Sequence, residues 1–240
     1  MKTLTKEIQA SITPAMALDL LKEGNKRFIN NLKVNRNLLQ QANETSDGQH
    51  PFAVILSCID SRTSVELVFD QGLGDVFSIR IAGNIINEDI LGSMEFGCKI
   101  AGAKIIVVLG HTRCGAIKGA CDCMEMGNLT ALLNKIQPAV YGEKTVLENR
   151  NSSNDEFVEK VAVINIKRTV DAIMERSPIL KEMIKTGAIG IIGANHDIAT
   201  GKVSFYEDTL LLASKSFAGD YKNPPLPLKA VDRRPTASRV

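Results

Sequence analysis

Two short stretches of this sequence carry residues whose types and spacing invite chemistry. In "SCIDSR", residues 57–62, a thiol, a carboxylate and a guanidinium alternate at Cys58, Asp60 and Arg62, directly after an apolar run over 52–56. In "GHTRCGA", residues 110–116, His111 and Cys114 follow a second apolar run in the same way. Two cysteines and a histidine form the ligand set of a tetrahedral zinc ion whose fourth position is open or exchangeable, a catalytic arrangement more than a structural one. Taken singly, a buried cysteine is usually a small hydrophobe and a histidine a satisfied core or surface residue. Three such residues at loop starts, where function collects, favour the metal. Two thiolates already cancel the charge of a zinc dication, so the metal acidifies water less than a site of three neutral histidines does. A nearby carboxylate accepting a hydrogen bond from that water or hydroxide then helps to position it, and Asp60 is placed to do so. Asp60 could instead ligate the zinc itself as a fourth ligand. Arg62 arbitrates, because a bidentate guanidinium keeps the carboxylate ionised and turned from the metal.

The elements that must hold these residues can be read from apolar patterning. "PFAVILSCID" is apolar on both faces and too short for a helix, the mark of a central parallel strand. Residues 76–81 and "KIIVVLG" read as two further strands, with helical spacing over 89–103 between them, and "AIGIIGA" reads as a fourth. "DIATGKVSFYED" reads as a hairpin turning at Thr200 and Gly201 into an antiparallel edge strand. Strands alternating with helices imply right-handed crossovers and an α/β fold, an open and mostly parallel sheet flanked by helices. In such a sheet, ligands bind beyond the carboxyl ends of the strands, where both motifs lie.

Helices fill the rest. Thr13 before Pro14 caps an amphipathic N-terminal helix that sets Ala17, Leu21, Phe28 and Leu32 along one side. Residues 35–49 are polar and turn-rich, and "TSVE" reads as a capping box between Thr63 and Glu66. The pattern is helical over 114–141, a long helix covers 154–176, and Ser177 and Pro178 begin another that Gly187 closes.

With 29 basic and 27 acidic side chains among 240 residues, the net charge of +2 supplies no field to draw in nucleic acid or an anionic membrane. The partner is expected to be a small molecule. No apolar h-region follows the basic start, and no run approaches the roughly 20 residues that span a bilayer, so the chain reads as cytoplasmic. An odd count of 5 cysteines fits a reducing compartment better than a disulfide framework. The organisation expected is a single zinc-binding domain over 1–222, with an N-terminal arm over 1–35 and a flexible proline-rich, then basic, tail over 223–240.

"CIDSR" and "GHTRCGA", joined by "ELVFDQGLGDVF" and "RIAGNI", resemble the beta-class carbonic anhydrases, with the resemblance running from about residue 13 to about 212. It implies a zinc (Zn2+) enzyme interconverting carbon dioxide and bicarbonate, built as a homodimer or a dimer of dimers with sites at the subunit interface. It also implies that the N-terminal helix packs on the partner subunit. Position by position, Cys58, His111 and Cys114 match the zinc ligands, and Asp60 with Arg62 the catalytic dyad. Gln49 matches a glutamine that hydrogen-bonds substrate in the open-site subgroup. The aspartate-closed subgroup carries a tryptophan in that region, and this chain has none. Phe77 and Ala82 match pocket-wall positions, while Phe96 stands where a tyrosine is frequent. The implied reaction is attack of zinc-bound hydroxide on carbon dioxide in a small apolar pocket, followed by loss of a proton to bulk.

Other residues carry weaker signals. His50 is a loop residue or a proton shuttle. His196 reads as structural or surface. Cys121 and Cys123, spaced i, i+2 on a helix, point apart and, like Cys98, read as partly buried free thiols. Ser61 could bond a thiolate or cap a turn, and Arg80 and Asn84 could order the loop after the second strand or simply make a salt bridge and a turn. Three rival readings stand beside the leading one. The same site could hydrolyse carbonyl sulfide or carbon disulfide, the zinc could be structural in a binding module, or the cysteines could do redox chemistry, the last weakened by the lack of a C-x-x-C.

Overall fold

The computed structural model describes residues 3–212. The proline-rich stretch over 223–240 lies outside the described residues. Three N-terminal helices, α1 (Lys6–Ser11), α2 (Pro14–Ile29) and α3 (Leu38–Glu44), precede the first strand, β1 (Ala53–Ser57). There follow α4 (Val65–Val68), β2 (Val76–Arg80), a 3-10 turn at Ala82–Asn84, and α5 (Glu88–Glu95), which runs on into a π-helical turn at Phe96–Ile100. Then come β3 (Ile105–His111), α6 (Gly115–Cys121), α7 (Gly127–Leu133), α8 (Gln137–Gly142), α9 (Asp155–Arg176), α10 (Pro178–Lys185), β4 (Gly190–His196) and β5 (Val203–Leu211).

The five strands form one sheet in the order β2-β1-β3-β4-β5, with β5 antiparallel to β4 and every other pair parallel. The expected fold class is the observed one. Strand alternation divides the core: Ala53 and Ile55 of β1 with Val107 and Leu109 of β3 face α2 and α4, while Val54, Leu56, Ile106 and Val108 face α5, α9 and α10. Each of the valine, leucine and isoleucine side chains among them, fully removed from water, contributes on the order of 1.5–3 kcal/mol. Among the described residues no helix is long and apolar enough to cross a membrane.

Several local expectations need correction. The polar segment over 35–49 holds α3, capped by the Asn37 side chain on the backbone N–H of Gln40. The cap of α4 is Ser64 rather than Thr63, and it makes no side-chain cap bond. Thr63 turns into the core instead, its hydroxyl 3.4 Å from His196 Nδ1. The pattern over 114–141 resolves into three short helices. Leu32 lies past the end of α2 and is 66% exposed, while Ala17 and Leu21 are buried. The buried face of α2 rests on its own sheet, and Met16 and Leu20 are exposed on its outer face.

Asp70, in the turn after α4, anchors the N-terminal region. Its carboxylate accepts from Arg27 Nε and Arg36 Nη1, both at 2.5 Å, and from the backbone N–H of Val34. The side chains of Asp70 and Arg36 are only 4% and 7% exposed. Burial pushes the carboxyl up, but the two guanidiniums and the amide outweigh it and hold it below its ordinary 3.8. A carboxylate depressed in the folded state adds stability above its unfolded value, and that stability is lost as pH falls through the folded value. We expect the urea midpoint to drop as pH is lowered from 5 to 3, and Asp70→Ala to lose about 3–5 kcal/mol at pH 7, since it strands buried guanidinium charge. In Asp70→Asn the acid dependence should be shallower; an unchanged dependence would assign it to other carboxylates.

Candidate metal centre

The parallel register sets the geometry. Ser57, the last residue of β1, pairs with Leu109 of β3, so the chain leaving β1 at Cys58 emerges beside the end of β3, where His111 sits. Arg113 then adopts a left-handed conformation (φ 56°), held by its backbone N–H on Glu159 Oε1 at 2.7 Å, and Cys114 follows at the start of α6. The sulfurs of Cys58 and Cys114 lie 3.9 Å apart, and these two atoms with a ring nitrogen of His111 all fall within 4.8 Å of one another. Two thiolates at about 2.3 Å from one tetrahedral zinc stand roughly 3.8 Å apart, so the spacing fits that ion.

The donors are prepared as well as close. His111 Nδ1 lies 2.9 Å from the Thr112 carbonyl oxygen, so its proton belongs there, and the buried Nε2 has no hydrogen-bond partner. An imidazole with one nitrogen tied to a carbonyl and the other bare is how a metal-ligating histidine is oriented. The Cys58 thiol is pulled down to about 4, chiefly by Cys114 donating to it, with help from His111 and the backbone N–H groups of Gly83 and Asp60. Cys114, holding the shared proton and deeply buried, moves up. Two sulfurs that settle one negative charge between them suit a cation that takes the remaining proton's place.

Asp60 faces the cluster without joining it. Both its oxygens are taken by Arg62, Oδ1 by Nε at 2.9 Å and Oδ2 by Nη2 at 2.7 Å, with the Arg62 backbone N–H also on Oδ1. That fork holds the carboxyl well below the usual carboxylate range. Its Oδ2 is 3.9 Å from His111 Nε2. A cleft of about 270 Å³ opens beside Cys58 and Asp60, walled by Ile59, Ala82, Ala116 and Leu133.

Ala82 thus lines the cleft. Gln49 does not: it is exposed at the opposite end of β1 from Cys58. Phe77 and Phe96 pack edge-on, centroids 6.3 Å apart, in a separate and larger groove with Arg80 and Glu88. His50 is partly exposed next to Gln49, Ser61 is exposed with no bond to a sulfur, and Cys121 is buried at the end of α6 while Cys123 is exposed beyond it. His196 is buried, paired in register with His111.

Two contributions were left open or unread in the sequence. Arg80 makes no salt bridge among the described residues; its guanidinium donates to the carbonyl oxygens of Cys58 and Asp60, bracing the loop that carries thiol and carboxylate. Gly83, with φ 68°, packs so closely that an added Cβ would lie 2.6 Å from Ile136 Cδ1, and its N–H faces the Cys58 sulfur. The glycine in "RIAGNI" is the signal for that close approach.

An open, mostly parallel sheet with a Cys-His-Cys group able to hold a metal at its carboxyl edge defines an α/β protein with a metal-capable site. A family model described as carbonic anhydrase matches residues 53–203. Carbonic anhydrase 2 of Mycobacterium tuberculosis is 34% identical over 202 residues, covering 79% of this chain and 91% of that protein. The carbonic anhydrase of Mycolicibacterium smegmatis is 33% identical over 198 residues, covering 79% and 92%. A tetrameric beta-carbonic anhydrase from Sordaria macrospora shares the fold with a TM-score of 0.63 at 22% identity, over 80% of this chain and 95% of that one. The chain belongs to the beta-class carbonic anhydrases, enzymes that hydrate carbon dioxide.

Proposed function

We propose that this chain catalyses the reversible hydration of carbon dioxide to bicarbonate and a proton with zinc held by Cys58, His111 and Cys114. The observation that carries the reading is the set of three convergent donors, one of them a buried imidazole nitrogen with no other partner. When bound, zinc supplies the Lewis acidity that makes a nucleophile of water near neutral pH. Asp60, kept ionised and forked by Arg62, would accept a hydrogen bond from the attacking water and orient it toward carbon dioxide held against Ile59, Ala82 and Leu133. Because Arg62 occupies both carboxylate oxygens, Asp60 would be held back from joining the three donors, leaving room for the reactants.

Gln49, Phe77 and Phe96 lie outside the cleft of their own chain, which supports a homodimer, or dimer of dimers, in which a second copy completes the pocket. The five free thiols suit a reducing compartment, and the cytoplasm is the proposed location.

The test is stopped-flow carbon dioxide hydration by the zinc-loaded protein over about pH 6.5–9, the range in which an activated water titrates. Fast hydration already present near neutrality is expected. Activity confined to alkaline pH would mean that Asp60 closes the site, and no hydration at any pH with zinc bound would overturn the reading.

A further inference from the structure

Away from the metal cluster, a cleft of about 160 Å³ opens between α9, the chain following the Gly83 turn, and the α7–α8 junction. Its walls include Ile86 and the side chains of Asn165 and Thr169, and Lys135, Arg168 and Arg176 stand around it. Asn165 Nδ2 donates to the Gly83 carbonyl oxygen at 2.9 Å, and the Thr169 hydroxyl to that of Asn84 at 3.5 Å. The floor of the cleft is thus fixed by two buried polar side chains, Asn165 and Thr169, at 4% and 5% exposed, while the three cations at its rim are exposed.

Its charge is unbalanced. Arg176 pairs with Glu88 at 2.7 Å, whereas Lys135 and Arg168 have no ion-pair partner among the described residues. Among the described residues, three cations and no carboxylate line this one small concavity, and only Arg176 among them is paired, with Glu88. Guanidinium forks match phosphate oxygens in pairs, and an ammonium adds a point charge. The volume is well below the roughly 300 Å³ at which drug-sized pockets begin, so it suits a single tetrahedral anion and not a nucleotide.

We propose that this cleft binds a dianion of the phosphate class, either inorganic phosphate or the terminal phosphoryl group of a small metabolite. The site is independent of the metal reading, yet the two share a segment. The turn that Asn165 and Thr169 tether is the one whose Gly83 N–H faces the Cys58 sulfur. An occupant of the cleft thus lies one tether from the metal ligands.

Isothermal titration of the full-length, zinc-loaded protein at about pH 8, where phosphate is dianionic, tests this, with inorganic phosphate and methyl phosphate as probes and chloride balancing ionic strength. Saturable binding of one anion per chain is expected, weakened at least tenfold in the double variant Lys135→Met/Arg168→Met and unchanged in Lys181→Met on α10. Methyl phosphate binding as tightly as phosphate would support the metabolite source, and phosphate alone the inorganic one. No saturable heat beyond chloride, binding undiminished in the double variant, or binding that vanishes when zinc is removed would each overturn the proposal.

Discussion

Cys58→Ser is expected to yield a folded protein that purifies without stoichiometric zinc and hydrates carbon dioxide at least about a thousandfold more slowly than the parent. Disturbing groups that merely orient metal ligands already costs roughly 10–100-fold, and this change removes a donor. A serine hydroxyl stays protonated where the Cys58 thiol is drawn down to about 4, so the site loses half of its thiolate charge. Folding should survive, because the swap is nearly isosteric at a strand end. His111→Ala should match it, whereas Cys121→Ser, outside the cluster, should keep both metal and rate. Metal analysis alongside stopped-flow hydration checks the expectation. Full zinc content in Cys58→Ser would remove Cys58 from the ligand set.

Arg62→Ala should lower hydration near neutrality by about a hundredfold while leaving zinc in place, the upper end of what ligand-orienting groups contribute. Arg62 is the largest cause of Asp60's depressed carboxyl and occupies both of its oxygens. Without that fork, a carboxylate whose Oδ2 already stands 3.9 Å from His111 Nε2 is free to take the fourth position on the metal. X-ray absorption at the zinc edge should then report a protein oxygen in place of an exchangeable one. Arg62→Lys should not restore the rate, since an ammonium cannot make two parallel bonds to one carboxylate. A rate unchanged in Arg62→Ala would show that Asp60 needs no partner to stay off the metal.

The strands and the convergence of the three possible metal donors were legible because each depends on a strong local signal. β1 and β3 are uninterrupted apolar runs buried on both faces, and each ends directly in a metal-type donor. Elsewhere the determinants are not local. α3 escaped because it presents no apolar stripe to the core: Leu38 and Leu39 are exposed and only Gln41 is buried. The capping box in "TSVE" failed because Thr63 meets His196 from the far end of the chain, a contact that pairwise spacing cannot reveal. Arg80 was left open between bracing a loop and a salt bridge because its acceptors are main-chain carbonyls, which no residue type marks. Gln49, Phe77 and Phe96 were assigned by resemblance alone, and the structure leaves all three outside the cleft beside Cys58.

Cys58 and Cys114, 56 residues apart in sequence, meet only because β1 and β3 lie side by side. Parallel pairing of that kind closes a long loop before any contact rewards it, and it forms slowly. A chain emerging during synthesis therefore holds an unmatched thiol at Cys58 until the segment through Cys114 has followed and docked. On the proposed zinc reading, metal capture is then a late event on the folding route. The rate at which a refolding chain acquires its ion should follow sheet assembly rather than ion concentration, making zinc uptake a clock for the closure of β1 on β3.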